Sequence, residues 1–113
     1  MKLFLLTGLH RSGRSFLGCV LNQNPNFFVP AQSPLLNLLY NQFSLWEDPN
    51  HAEDFAVEEI KNLKSSLLYK YTQNFFSYLT DKKIFFDNRM KWASKYNINM
   101  YKTIFGSYPK IIC

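Results

Sequence analysis

The residues best suited to chemistry lie close to the amino terminus, in a segment that is bracketed by two glycines. Its sequence is Gly8-Leu9-His10-Arg11-Ser12-Gly13-Arg14-Ser15. A Gly-x-x-x-x-Gly turn lets the backbone wrap tightly, so that several N–H groups can point at one anion. A helix that begins directly after such a turn adds the positive end of its dipole. The segment therefore predicts a phosphate-binding turn.

Each polar residue of the Gly8–Ser15 turn has an expected role in holding an anion. We expect the backbone N–H groups from Arg11 to Ser15 to cradle phosphate oxygens, and the hydroxyl groups of Ser15 and Ser12 to donate further hydrogen bonds. Arg11, at the apex, could bond bidentately to a transferring group. Arg14 either does the same or points to solvent. His10 belongs to the turn and is interpreted as a neutral residue rather than a catalyst.

The hydrophobic pattern around this turn predicts alternating strands and helices. The apolar run Leu3–Leu6 is typical of a strand that is covered on both faces. Pro25 ends the first helix, whereas Ser33 and Pro34 are a typical helix start. The expected elements are strands at 3–6, 83–86 and from 110, helices at 13–22, 35 to about 44, about 52 to 79 and 91–105, and a short extended segment at 27–31.

This order of elements indicates the α/β fold class. It predicts a three-layer parallel sheet of P-loop-like topology, with about three strands and flanking helices. Sites in such sheets lie at the carboxyl ends of the strands, so the Gly8–Ser15 turn and the stretch Asp87–Arg89 should meet. The chain stops inside an apolar strand at Cys113. We therefore expect residues 1–113 to be the amino-terminal part of a single, longer domain.

Apolar spacing also predicts which helix faces are buried. On the first helix, the apolar positions are Phe16, Leu17, Val20 and Leu21. On the long helix, the predicted buried stripe is Ile60, Leu63, Leu67, Tyr71 and Phe75, and Tyr78 extends its aromatic part. Trp92 is interpreted as a core residue.

Charge and cysteine content narrow the classes of partner. The net charge is +5, but the basic residues are scattered, which favours a nucleotide over nucleic acid. The two cysteines form no disulfide framework and no metal spacing, so reduced thiols, a cytoplasmic location and no metal are expected. The opening apolar run is too short for a signal peptide or a membrane span, so no membrane partner is expected.

At these residues the chain resembles the sulfotransferase family. Members of that family follow a strand with a Gly-Leu-Pro-Arg-Ser-Gly-Thr-Thr-like loop, to which residues 8–15 correspond. The likeness continues, in order, at 21–25, 33–35, 86–89 with Trp92, and 108–113. It is greatest for bacterial and phage members, which carry an Asn-Gln-Asn-Pro element. The departures are His10 in place of proline, Arg14 in place of threonine, and Asn88 where many members have lysine.

The resemblance implies a cofactor, a reaction and a set of roles. The cofactor would be 3′-phosphoadenosine 5′-phosphosulfate (PAPS), held at its 5′ end by the turn, and the reaction would be sulfuryl transfer to the hydroxyl or amine of an unidentified acceptor. Arg11 would stabilise the charge on the leaving phosphate oxygen, and Arg89 would grip the sulfuryl group or the 3′-phosphate. Asp87 is the one nearby carboxylate available as a general base, and a strand-end or capping role remains open for it.

Two other functions remain open. The first is a nucleoside-triphosphate P-loop kinase or ATPase in which Arg14 replaces the usual lysine and Asp87 holds magnesium. The second is a binding module or a decayed, non-catalytic nucleotide-binding fragment. The sulfotransferase resemblance implies that residues beyond Cys113 supply the 3′-phosphate motif and parts of the acceptor pocket.

Overall fold

The centre of the computed structural model, which describes residues 2–7, 14–31, 33–47 and 55–112, is a parallel sheet of four strands. The strands are β1 (Lys2–Leu6), β2 (Phe27–Phe28), β3 (Ile84–Asn88) and β4 (Lys110–Ile112), in the spatial order β2-β3-β1-β4. The α/β class and the parallel sheet are confirmed. The expectation of about three strands was wrong by one, because the predicted extended segment at 27–31 pairs with β3 and becomes the edge strand β2.

Four α-helices and one 3₁₀ helix connect these strands in the described part of the chain. They are α1 (Arg14–Asn22), α2 (Leu35–Glu47), α3 (Val57–Leu79), the 3₁₀ helix Met90–Ala93 and α4 (Lys95–Phe105). Successive side chains of a strand point to opposite faces of the sheet. Leu3, Leu5 and Phe85 accordingly join the main core with α2, α3 and α4, whereas Leu6 and Phe86 pack with Val29 and α1. Helices therefore cover both faces, three on one and one on the other.

The start of α2 and the ends of α4 follow the capping residues. The Leu35 N–H donates to the Ser33 hydroxyl at 3.1 Å, as expected for a helix that starts at Ser33-Pro34. Ser94 accepts from the Asn97 N–H, and it divides the helix predicted at 91–105 into the 3₁₀ helix and α4. Gly106 ends α4 with a φ of 80°, the left-handed conformation that glycine adopts without strain. The predicted helix stop at Gly106 is confirmed.

The predicted buried stripe of the long helix is confirmed only in part: Tyr71 and Phe75 are partly buried against the main core, but the fully buried row lies one residue further along. The buried side chains of α3 are Leu68, Thr72 and Phe76, whereas Leu63 and Leu67 are exposed. Aromatic residues follow one another closely along this helix, so the spacing of apolar residues alone did not show which row of side chains is buried. Thr72 is tolerated in the core because its hydroxyl donates to the Leu68 carbonyl at 2.9 Å. Tyr78 is 91% exposed, so its assignment to the core was also wrong.

The first helix covers its face of the sheet only in part. Phe16 and Val20 are exposed, contrary to the prediction. Among the described side chains of α1, only Leu17 and Leu21 pack against the small cluster of Leu6, Val29 and Phe86. Helix α2 runs to Glu47 instead of about Ser44, because Trp46 packs against the main core. Trp92 is fully buried, as predicted.

Candidate functional site

Most of the predicted phosphate-binding turn lies outside the described residues. This applies to the predicted cofactor-binding residues Gly8, His10, Arg11, Ser12 and Gly13, so their roles stay predictions. For Arg14 and Ser15 the structure describes the backbone, which forms the first residues of α1. A strand therefore precedes the glycine-bracketed segment and a helix follows it, as the sequence predicted.

The carboxyl ends of β1 and β3 lie side by side. Leu6 pairs with Asn88, and the Arg89 N–H extends the pairing by donating to the Leu6 carbonyl at 3.1 Å. Beyond the sheet, the Thr7 hydroxyl donates to the Met90 carbonyl at 2.8 Å. Two bonds thus fasten the residues that lead into Gly8 to the chain that leaves β3. The predicted proximity of 87–89 to the strand that carries the turn is confirmed up to Thr7.

Asp87 is completely buried on the face of the sheet that α2, α3 and α4 cover. The Trp92 indole N–H donates to its Oδ2 at 2.6 Å, and this contact ties the 3₁₀ helix to the end of β3. Its Oδ1 has no hydrogen-bond partner among the described residues. Ser33 lies close to the carboxyl group, but its position does not give a well-formed hydrogen bond.

Burial decides the protonation behaviour of Asp87. Loss of solvation raises the pKa of this carboxyl above its ordinary value of 3.8, and it outweighs the Trp92 and Ser33 contacts and the Arg89 charge, each of which lowers that pKa. A raised pKa suits a general base. A side chain without exposed surface, however, reaches an acceptor only if its cover moves. The geometry favours a positioning role for Asp87, and its catalytic role stays a prediction.

Asn88 points to the opposite face, toward α1. A Cβ at Gly18 would stand 3.4 Å from its Nδ2, so the helix approaches the strand end closely at a residue without a side chain. Asn88 is buried, and its Oδ1 has no hydrogen-bond partner among the described residues. Together with Cys19, Asn22 and Pro30 it lines a cleft of about 160 Å³ at the side of α1. Cys19 is a free, exposed thiol.

Arg89 lies at the junction between β3 and the 3₁₀ helix. Its backbone is extended, its side chain is half-buried, and its positive charge is near enough to lower the pKa of Asp87. It therefore belongs to the same edge of the sheet as the end of β1. Nothing in this arrangement assigns its guanidinium to a ligand, so the cofactor-binding role stays a prediction.

Three residues at this edge of the sheet were not predicted from the sequence to belong to the site. Thr7 and Ser33 position β1 and α2 around it, and Asn97 is a buried amide on the first turn of α4. The Asn97 Nδ2 donates to the Lys91 carbonyl at 2.8 Å, while its Oδ1 has no partner within the described ranges. A polar residue that directly follows an apolar strand was an available signal for Thr7. Asn97 gave none, because its spacing does not distinguish it from Lys95 and Asn99, the other polar residues nearby on the same helix.

Two further findings bear on the site. In the part of the chain that the structure describes, each helix is too short or too polar to cross a bilayer, and no three His, Cys, Asp or Glu side chains come together as a metal site. Comparison of the chain with protein-family models, with curated protein sequences and with solved structures gives no match.

Proposed function

We propose that this chain binds the 5′-phosphosulfate of PAPS at the turn after β1 and supports sulfuryl transfer to an acceptor hydroxyl or amine. One observation carries the proposal. The strand that leads into the glycine-bracketed segment lies beside the polar end of β3, and α1 begins at Arg14 directly after that segment. Backbone N–H groups, a helix amino terminus and arginine side chains at one sheet edge are what a phosphosulfate needs for binding.

The reaction requires charge stabilisation more than covalent chemistry from the protein. The acceptor oxygen or nitrogen forms a bond to sulfur, and the bond from sulfur to the 5′-phosphate oxygen breaks. The electron pair leaves with 3′-phosphoadenosine 5′-phosphate (PAP), and the acceptor proton passes to a base or to water. Arg11 would neutralise the negative charge on the leaving oxygen, as cationic groups do in phosphoryl transfer. Asp87 would act as the base only after its cover opens.

The first test is nucleotide binding by the isolated chain. We expect PAPS and PAP to bind in isothermal titration calorimetry, and Arg11→Ala to weaken the binding of both. Lys102→Ala is the matched control, because Lys102 is an exposed cation near the carboxyl end of α4. Equal loss in both variants, or no binding by the unchanged chain, would overturn the proposal.

The second test is turnover with a panel of phenols, alcohols and amines, measured as acceptor-dependent release of PAP. Where turnover occurs, we expect Arg11→Ala to lower its rate by about 10²–10³-fold, the usual cost of one removed charge-stabilising donor. Asp87→Asn separates the two roles of that residue. If Asp87 is the base, this variant loses turnover. If Asp87 only positions its neighbours, the variant keeps most of its turnover, because the amide oxygen still accepts from Trp92.

A nucleoside-triphosphate-binding function is the second candidate, and one observation favours it. Asp87 ends the apolar run of β3, next to β1, where a magnesium-holding acid would stand in a P-loop enzyme. Against it, one oxygen of Asp87 already accepts from Trp92, and the residue has no exposed surface. Competition decides between the two. Displacement of PAP by magnesium-ATP favours the second candidate, and binding of neither nucleotide favours a non-catalytic module.

A further inference from the structure

A second cleft opens at the same edge of the sheet, on the face that carries α2, α3 and α4. It has a volume of about 320 Å³ and is lined by Leu36, Asn37, Tyr40, Lys91 and Asn97. We call it the α2–α4 cleft. Its lining shares no residue with the cleft beside Asn88.

The α2–α4 cleft lies close to the predicted nucleotide site. Lys91 follows Met90, whose carbonyl accepts from the Thr7 hydroxyl, and Thr7 immediately precedes Gly8. On the other side, Leu36 belongs to the first turn of α2, which is capped by Ser33 near Asp87. A compound in this cleft would therefore sit beside the carboxyl ends of β1 and β3.

The lining supplies three kinds of recognition. Tyr40 contributes a ring that packs in a tilted arrangement on Tyr96, with centroids 5.2 Å apart, and this contact holds it in place as a wall. Asn97 is only 6% exposed, and its buried Oδ1 has no hydrogen-bond partner among the described residues, so a ligand hydroxyl that displaces the cover of this atom gains an acceptor. Lys91 contributes a positive charge at the exposed rim.

We propose that the α2–α4 cleft binds the acceptor, and that this acceptor is a hydroxyl-bearing ring with an anionic substituent. Its ring packs on Tyr40, a hydroxyl donates to Asn97 Oδ1, and the anion pairs with Lys91. The prediction that this cleft binds a ligand depends only on the residues that line it, whereas the identification of that ligand as the acceptor rests on the proposed sulfuryl transfer. Nucleotide and acceptor would then enter from opposite faces of the sheet and meet at its edge.

The test uses the full chain and three small probes whose chemistry differs at one position. The first is 4-hydroxyphenylacetate, the second is its uncharged amide, and the third is the 4-methoxy analogue, which cannot donate a hydrogen bond. Binding is followed by ¹⁵N–¹H NMR. We expect the side-chain amide signals of Asn97 and the backbone signal of Tyr40 to move on addition of the first probe. We expect the amide to bind about two- to fivefold more weakly, the range for an exposed ion pair.

Matched variants identify the groups that bind the probe. Lys91→Gln should weaken 4-hydroxyphenylacetate about two- to fivefold and leave its amide unchanged. Lys95→Gln, which removes an exposed cation outside the cleft lining, should change neither. Tyr40→Leu tests the ring contact at an exposed position, where folding is not at risk. Any of three results would overturn the proposal. The Asn97 signals do not move, the methoxy analogue binds as tightly as 4-hydroxyphenylacetate, or the two lysine variants have equal effects.

Parallel titration with PAP separates the two proposals. If PAP binds and the Asn97 and Tyr40 signals do not respond to the probe, the inference about the cleft fails and the proposed function stands. If the probe binds in the cleft and PAP does not bind, sulfuryl transfer and the acceptor assignment fail together, and the cleft remains a ligand site.

Discussion

The two faces of the sheet differ in how completely the described helices close them, and the two adjacent polar residues at the end of β3 differ accordingly. On one face, Leu5 and Phe85 lie under three helices, and Asp87 ends that row. On the other face, α1 is the one described helix that covers Leu6 and Phe86, and Asn88 lies at the end of β3 on this side. Asp87 and Asn88 are adjacent in sequence, but α1 leaves a cleft beside Asn88, whereas Asp87 is bonded to Trp92 and fully enclosed.

On a closed face, a carboxyl group can have a structural role, because neighbouring side chains control the protonation and the orientation of that carboxyl group. On the other face, the cleft beside α1 reaches the buried side chain of Asn88, so a ligand in that cleft would lie against it. The comparison favours a positioning role for Asp87 and predicts that a ligand reaches Asn88 more easily, through the cleft beside α1. It also predicts that substitutions on the two faces have unequal effects.

The largest expected difference is between two phenylalanines. Phe76 of α3 has no exposed surface and stacks on Phe85 with ring centroids 4.3 Å apart. Phe16 of α1 is 75% exposed. We expect Phe76→Ala to lower the free energy of unfolding by about 3–5 kcal/mol. Phe16→Ala should change it by less than about 0.5 kcal/mol, as surface substitutions do.

Urea denaturation of both variants measures this difference. Equal losses would mean that α1 is packed more tightly than the described structure shows. A loss that is large only for Phe16→Ala would contradict the comparison of the two faces.

The next effect comes from the Trp92–Asp87 bond. Trp92→Phe keeps an aromatic ring but removes the only hydrogen bond that the described residues make to the carboxyl group. An acceptor left buried without its donor costs about 1–3 kcal/mol, and a charged one costs more. Trp46→Phe is the matched control, because Trp46 packs against the same core while only partly buried. Similar losses for the two tryptophans would assign the effect to ring size rather than to the bond with Asp87.

A smaller effect concerns pH. Burial raises the pKa of Asp87 in the folded chain above its ordinary value of 3.8, so the folded state holds this proton more tightly than the unfolded state does. The stability that this group contributes is present below the unfolded pKa, and it is lost as the pH rises from there through the raised folded pKa. Asp87→Asn removes that loss and keeps an acceptor for Trp92. We therefore expect this variant to gain stability relative to the unchanged chain as pH rises above about 4.

Chemical denaturation of both chains between pH 3.5 and 8 measures the difference. The variant and the unchanged chain should have their most similar stabilities at the acid end of the series. A difference that does not depend on pH would mean that the carboxyl group has an ordinary pKa in the folded chain.

The sequence predicted the sheet edge better than the packing around it. Continuous apolar runs placed β1 and β3, and the polar residues after them placed 87–89 beside the end of β1, because parallel strands bring their carboxyl ends together. The capping residues Ser33 and Gly106 were read correctly, since their effect on the backbone is local. The sulfotransferase resemblance and the roles of Arg11, Arg89 and the turn stay predictions.

Long-range packing explains the errors. The burial of Thr72 depends on a hydroxyl bond within α3 and on the neighbours of that helix, neither of which leaves a periodic signal. Phe16 looked like a core residue because its own helix has apolar spacing, but the sheet behind α1 meets only Leu17 and Leu21. The Trp92–Asp87 bond joins residues five apart in a strand and a 3₁₀ helix, so neither residue predicts it alone.

The smallest expected effects come from two glycines with opposite roles. A Cβ at Gly18, in α1, would make ordinary contacts with Asn88, Val29 and Leu6 at 3.4–3.9 Å, so alanine fits there and improves the helix. We expect Gly18→Ala to raise the free energy of unfolding by about 0.5–1 kcal/mol. Gly106 has a φ of 80°, so Gly106→Ala should lower it by about 1 kcal/mol although nothing lies within 4 Å of the added atom.

The Gly18 variant also tests which face carries the ligand site. The added methyl group narrows the cleft beside Asn88 without touching the enclosed face, so nucleotide affinity falls if the nucleotide reaches into this cleft and stays unchanged if the turn after β1 holds it alone. Gly106→Ala, at the far end of α4, should leave that affinity unchanged although stability falls. Thermal unfolding and PAP titration on the same samples give both quantities. If affinity follows stability in both variants, the open face has no separate part in binding, and the division between Asp87 and Asn88 is wrong.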